Sequence, residues 1–143
     1  MSTNNRAYKL WLVDDDPDDQ YLVKKIVTSL REDIELRCLD SGADFLSCLD
    51  LSAEIPDLVL LDLNMPIMGG LDVLDTLRAQ KKLNVIPTVV FSTSQSEHDI
   101  NEAYSKGARS FLSKSGNFAE LAQQIETLCH YWLDVVSSPN QYC

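Results

Sequence analysis

Five times along this chain a short apolar run is followed by a stretch whose apolar residues recur at helical spacing, and few folds accommodate that alternation. Tyr8 to Val13 is apolar apart from Lys9, and from Pro17 to Leu30 the period lengthens, with Tyr21, Leu22, Ile26, Val27 and Leu30 on one helical face. The same reading predicts further strands over Ile34 to Leu39, Leu58 to Asp62, Thr88 to Phe91 and Arg109 to Leu112. Helices are predicted over Ala43 to Leu51, Leu71 to Gln80, Ser96 to Ser105 and Asn117 to Val135. Gly42, Gly69, Gly70, Gly107 and Gly116 all fall between these elements, where a positive φ is easily accommodated. The middle strands are nearly all apolar, as in a parallel sheet covered by helices on both faces. The expectation is an α/β fold, a three-layer doubly wound (βα)5 domain around a five-stranded parallel sheet.

A chain of 143 residues, 45% hydrophobic, suits one domain with a substantial core, here expected over about 8–135 with tails 1–6 and 137–143 lacking any periodicity. No apolar run approaches the roughly 20 residues that cross a bilayer, and the start, Met1 to Arg6, has no signal-peptide pattern, so a cytoplasmic location is expected. Cys38, Cys48, Cys129 and Cys143 show no metal-type spacing and read as reduced thiols, mostly core filler. A net charge of −10 and a pI near 4.4 disfavour nucleic acid as a partner, and nothing suggests a membrane.

Groups at the carboxyl ends of separate parallel strands meet in one crevice. Here they are Asp14, Asp15 and Asp16 after the first strand, Asp62 after the third, Ser92 and Thr93 after the fourth, and Lys114 after the fifth. Asp16 suits an N-cap, Pro17 the first helical position, and Asp18 and Asp19 the first turn, so part of the acidic run has a purely structural reading. That reading leaves Asp14 and Asp15 unexplained. Two adjacent carboxylates facing a third take up protons or recruit a cation, and Mg2+, held by carboxylates plus a phosphate, matches an oxygen-only cluster. Mn2+ is a reasonable substitute.

Asp62 ends an apolar strand, where it either caps a nearby amide or acts as a nucleophile. A carboxylate beside Mg2+ can attack phosphorus and form an acyl phosphate, so Asp62 is the expected phosphoryl acceptor. His98 and His130 read as solvated helix residues.

Val13-Asp14-Asp15, the run Leu61-Asp62-Leu63-Asn64-Met65-Pro66-Ile67-Met68-Gly69-Gly70, Ser92-Thr93 and Phe111-Leu112-Ser113-Lys114 together resemble the receiver domain of two-component response regulators. The match runs from about Tyr8 to Leu133. The resemblance implies a flavodoxin-like strand order 2-1-3-4-5 and phosphorylation of Asp62. It further implies that Asp15 binds Mg2+ directly, that Asp14 assists through water, and that the backbone carbonyl of Asn64 is another ligand. Ser92 takes the family's hydroxyl position, with Thr93 beside it, Lys114 its lysine, and Phe111 its aromatic switch position. Ser92 moving toward a phosphoryl group would make room for Phe111 to turn inward, with Ser92 to Phe111 as the bistable region. Alternatively, Ser92 serves local backbone and Phe111 is static core. Ser115 stands where the family usually has proline, and a trans Lys114–Ser115 bond is expected.

The implied function is a stand-alone switch in phosphorelay signalling, not an enzyme. Its partners would be a histidine kinase or histidine phosphotransfer protein and a downstream target, reached through the surface around Ile100, Tyr104, Lys106 and the last helix. The chain would be a monomer or a phosphorylation-dependent homodimer. One alternative is a Mg2+-dependent phosphohydrolase, disfavoured because Asn64 stands where such enzymes carry an acid-base aspartate. The other is a scaffold whose switch no longer depends on phosphate.

Overall fold

The computed structural model describes residues 7–51 and 55–137. The predicted tails, 1–6 and 138 onward with Cys143, lie outside these residues, and Ser137 carries no regular structure. The elements run β1 (Tyr8–Val13), α1 (Pro17–Leu30), β2 (Ile34–Leu39), α2 (Gly42–Leu51), β3 (Leu58–Leu61) and α3 (Gly70–Ala79). They continue with β4 (Thr88–Ser92), α4 (Glu97–Ser105), β5 (Ser110–Ser113), α5 (Phe118–Cys129) and a π-helical segment, His130–Val135. All strand pairs are parallel, in the order β2-β1-β3-β4-β5.

Strand side chains alternate between faces, and this divides the core in two. Trp11, Val13, Val59, Leu61 and Val90 pack with Phe45, Val73, Leu74, Leu77 and Ala103 on the side of α2, α3 and α4. Leu10, Leu12, Leu58, Leu60, Val89 and Phe91 pack with Val23, Ile26, Val27, Leu121 and Ile125 on the side of α1 and α5. Each fully buried aliphatic side chain contributes about 1.5–3 kcal/mol of transfer free energy, which makes this register hard to slip.

Helix starts follow the predicted chemistry. The Asp16 side chain accepts from the Asp18 N–H, with Pro17 in the first turn of α1. Ser96 and Asn117 cap α4 and α5 in the same way. Several predictions need correction. Tyr21 is 64% exposed, and Val23 replaces it in the buried stripe of α1.

The second correction concerns the glycines. Gly42 and Gly70 open helices, and among the glycines only Gly107, at φ +102, adopts a positive φ, whereas Ile67 and Lys81 do so without being glycine. Gly70 is required for close approach instead: a Cβ there would lie 2.5 Å from the Asp62 carbonyl oxygen. Third, the last helix is not uniform to Val135. The Val136 N–H donates to the Tyr131 carbonyl at 2.9 Å, a wider turn that buries both Trp132 and Leu133. Of the described cysteines only Cys129 is fully buried; Cys38 and Cys48 are half-buried and pack against the margins of the two core clusters. Strand β3 ends at Leu61, one residue before Asp62.

Candidate phosphoryl-acceptor site

Strand register brings the site together. The Asp62 N–H donates to the Val13 carbonyl at 2.9 Å, the Asp14 N–H to the Leu39 carbonyl at 3.1 Å, and the Lys114 N–H to the Ser92 carbonyl at 2.7 Å. The first residue beyond each strand is therefore level with its neighbours, at the carboxyl edge of the sheet.

Asp14 is fully buried, Asp62 nearly so, and Asp15 is exposed. One carboxylate oxygen from each lies within 4.8 Å of the others. Burial pushes the Asp14 carboxyl up to about 6, against hydrogen bonds from Lys114 and the Asp16 N–H, and the nearby Asp62 charge adds to the rise. Burial likewise raises Asp62, opposed by the Lys114 charge and by hydrogen bonds from the Asn64 N–H and the Ser92 hydroxyl. Desolvated carboxylates this close are short of positive charge. The set is all oxygen, with one member open to solvent, and it fits a hard divalent cation that keeps part of its water shell.

Lys114 is the local cation. Its Nζ lies 2.6 Å from Asp14 Oδ2, 2.9 Å from Asp19 Oδ2 and 4.0 Å from Asp62 Oδ2. Burial works against its charge, yet hydrogen bonds to Asp14 and Asp19 and the Asp62 field outweigh it and hold its pKa above the ordinary lysine value. No peptide bond among the described residues is cis, so Lys114–Ser115 is trans as expected.

Ser92 is fully buried and accepts from the Ser94 N–H at 3.3 Å, while Asn64 Nδ2 approaches it at 3.5 Å. Asn64 is exposed, and its N–H reaches Asp62 Oδ1 at 3.4 Å. Thr93 is exposed in the bend after β4. Phe111 is half-buried against the α4 side of the core, and its N–H donates to the Tyr104 hydroxyl at 3.1 Å. His98 and His130 are exposed, and His130 Nδ1 contacts Asp134 at 3.0 Å.

Two contributors escaped the sequence reading. Asp19 was assigned to the helix dipole, yet it also reaches Lys114. Gln124 binds the backbone on both sides of Lys114. Its only signal was a polar amide between Leu121, Ile125 and Leu128 on the buried stripe of α5.

A doubly wound parallel sheet with a triad of acids and a buried lysine at its carboxyl edge defines a receiver fold, and the chain belongs to the response regulator receiver domain family, whose profile matches residues 10–126. The chain is 32% identical over 141 residues to response regulator Rcp1 of Synechocystis sp., covering 95% of this chain and 96% of that one. It is 38% identical over 116 residues to the nitrate/nitrite response regulator protein NarL of Escherichia coli (strain K12), covering 78% of this chain and 50% of NarL. Among solved structures, the Mn(2+)-bound form of Rcp1 superposes with a TM-score of 0.83 at 30% identity, covering 93% of this chain and 99% of that one. The phosphorylated cyanobacterial phytochrome response regulator RcpA superposes with a TM-score of 0.87 at 30% identity, covering 94% and 99%. Among the described residues no helix is long and apolar enough to cross a membrane.

Proposed function

We propose that this receiver domain accepts a phosphoryl group on Asp62 from a phosphohistidine on a histidine kinase or histidine phosphotransfer protein, and so changes its contacts with a target protein. The observation that carries this is the placement of Asp62, recessed beside Asp14 and Asp15 with Lys114 Nζ 4.0 Å away. An Asp62 carboxylate oxygen forms the new P–O bond as the P–N bond to the donor imidazole breaks, and the imidazole retains that electron pair. Asp14, Asp15 and Asp62, with the Asn64 carbonyl, would hold the divalent cation, Mg2+ or Mn2+, whose bound charge offsets that of the phosphoryl oxygens. The Mn2+ bound by the similar Rcp1 supports this reading.

Lys114 can release Asp14 and Asp19 to meet a phosphoryl oxygen, because its flexible stem carries the ammonium between partners already within 4.0 Å. The Ser92 hydroxyl, buried close enough to favour the charged form of Asp62, donates to another oxygen. Movement of Ser92 draws on the loop through Ser94, and Phe111, half-buried against α4, is the side chain free to follow, with Thr93 carried along in the bend between them. The affected surface includes Ile100, Tyr104 and Lys106. This is a switch in a cytoplasmic phosphorelay, turning over only by slow self-dephosphorylation.

The test is intact-mass measurement after incubation with acetyl phosphate and Mg2+. One Mg2+-dependent phosphoryl group per chain, absent in Asp62→Ala, is the expected result. No adduct at all, with Mg2+ binding established, overturns the reading, and continuous phosphate release favours a hydrolase.

A further inference from the structure

Ser115 follows Lys114 where proline is usual in the family, so the backbone carrying the lysine lacks that ring's constraint on φ. Another residue constrains it. Gln124, half-buried on α5, donates from Nε2 to the Ser113 carbonyl at 2.8 Å and accepts at Oε1 from the Ser115 N–H at 3.1 Å. The two bonds fix the amide's orientation, since a carbonyl only accepts and an N–H only donates. One side chain thus grips the residue before and the residue after Lys114.

The grip is reinforced around Ser115. Its hydroxyl donates to Glu120 Oε1 at 2.8 Å and accepts from the Asn117 N–H at 3.1 Å. The Lys114 N–H is tied to the Ser92 carbonyl on the opposite side, and the Ser113 hydroxyl donates to the Ser94 carbonyl at 2.9 Å. Lys114 projects from a backbone held between α5 and the end of β4, and its ammonium arrives among Asp14, Asp19 and Asp62. Gln124 itself bonds only to backbone there.

We propose that Gln124 is a positioning residue for phosphoryl acceptance, which sets the reach of Lys114 by clamping Ser113 and Ser115 in place of the usual proline. This rests on Asp62 being the phosphoryl acceptor. A flexible four-carbon side chain finds a phosphoryl oxygen only as reliably as its Cα is fixed, and a misplacement of about 1 Å can cost up to about a hundredfold in rate.

The experiment measures the rate of adduct formation with acetyl phosphate and Mg2+ for the wild type, Gln124→Ala, Lys114→Ala and the double variant. Gln124→Ala is expected to slow the reaction by about tenfold while Mg2+ affinity is unchanged, and to add nothing once Lys114 is gone. Gln124→Glu, which keeps an acceptor for Ser115 but loses the donor to Ser113, should fall between. A Gln124→Ala rate equal to wild type, or an equal slowing in the Lys114→Ala background, overturns the proposal. Should Gln124→Ala fail to fold, Gln124→Glu carries the same comparison. No adduct in the wild type would instead remove the acceptor reading, and this inference with it.

Discussion

The ammonium of Lys114 lies 2.6 Å from Oδ2 of Asp14, closer than to the expected acceptor Asp62, at 4.0 Å. Asp14 is fully buried and Lys114 nearly so, and breaking such a pair by removing one partner typically costs about 3–5 kcal/mol. In the unphosphorylated state the lysine therefore serves the fold as a counter-ion for Asp14. Phosphorylation must compete for it.

Asp14 makes stability depend on pH in an unusual direction. Its carboxyl is pushed up to about 6 by burial, against 3.8 in an ordinary setting, so between these values the folded state binds more protons than the unfolded one. The stabilising contribution is present below the ordinary value and lost as pH rises through about 6. Urea denaturation in EDTA should show the wild type losing stability relative to Asp14→Asn between pH 5 and 7.5, on the order of 1 kcal/mol. Added Mg2+ should reverse the loss at pH 7.5 more than at pH 5, because protons compete for the same oxygens.

Gly70 should tolerate no side chain. A Cβ would meet the Asp62 carbonyl at 2.5 Å and the Leu63 Cα at 2.9 Å, both of which are backbone atoms that cannot turn aside. Gly70→Ala is expected to destabilise the protein by about 1–3 kcal/mol and to slow phosphorylation by acetyl phosphate, since relief moves Asp62 itself. An unchanged denaturation midpoint and rate would contradict this.

Ile67 carries backbone strain in the loop that follows Asp62. It is β-branched, fully exposed and held at φ +68, a region that L side chains enter at a cost of about 1–2 kcal/mol. Ile67→Gly should raise stability by up to about 1 kcal/mol, visible as a higher urea midpoint at unchanged slope.

Arg31 ties the end of α1 to the π-helical segment. Its guanidinium bonds Asp33 at 2.7 Å and Asp134 at 2.9 Å and lies 5.4 Å from the centre of the Tyr8 ring. Arg31 holds both carboxyls below the usual range, so this contribution is present above the ordinary carboxylate pKa and lost as pH falls through the depressed values. Arg31→Ala should change global stability by only about 1 kcal/mol, yet speed amide exchange selectively over residues 130–136.

Much of the molecule was legible without coordinates, because burial leaves a periodic record. The strands Tyr8–Val13 and Ile34–Leu39 and the helix Pro17–Leu30 match their predicted limits, since period and capping chemistry are local properties. Asp14, Asp15, Asp62 and Lys114 stood out because a polar group at the end of an apolar strand needs a reason to be there. Tyr21 was misjudged because at helical spacing a residue at the stripe's margin turns outward or inward according to its neighbours across the interface.

What the sequence by itself determined, then, is the order of elements and the identity of the groups delivered to the sheet's edge. Only the tertiary structure decided how they pair. Asp19 and Lys114 are 95 residues apart, and Gln124 meets Ser115 from a different element, so both contacts depend on helix packing rather than on local period. The widening after Cys129 likewise comes with the burial of Trp132 and Leu133 against the core, which the helical period alone does not encode.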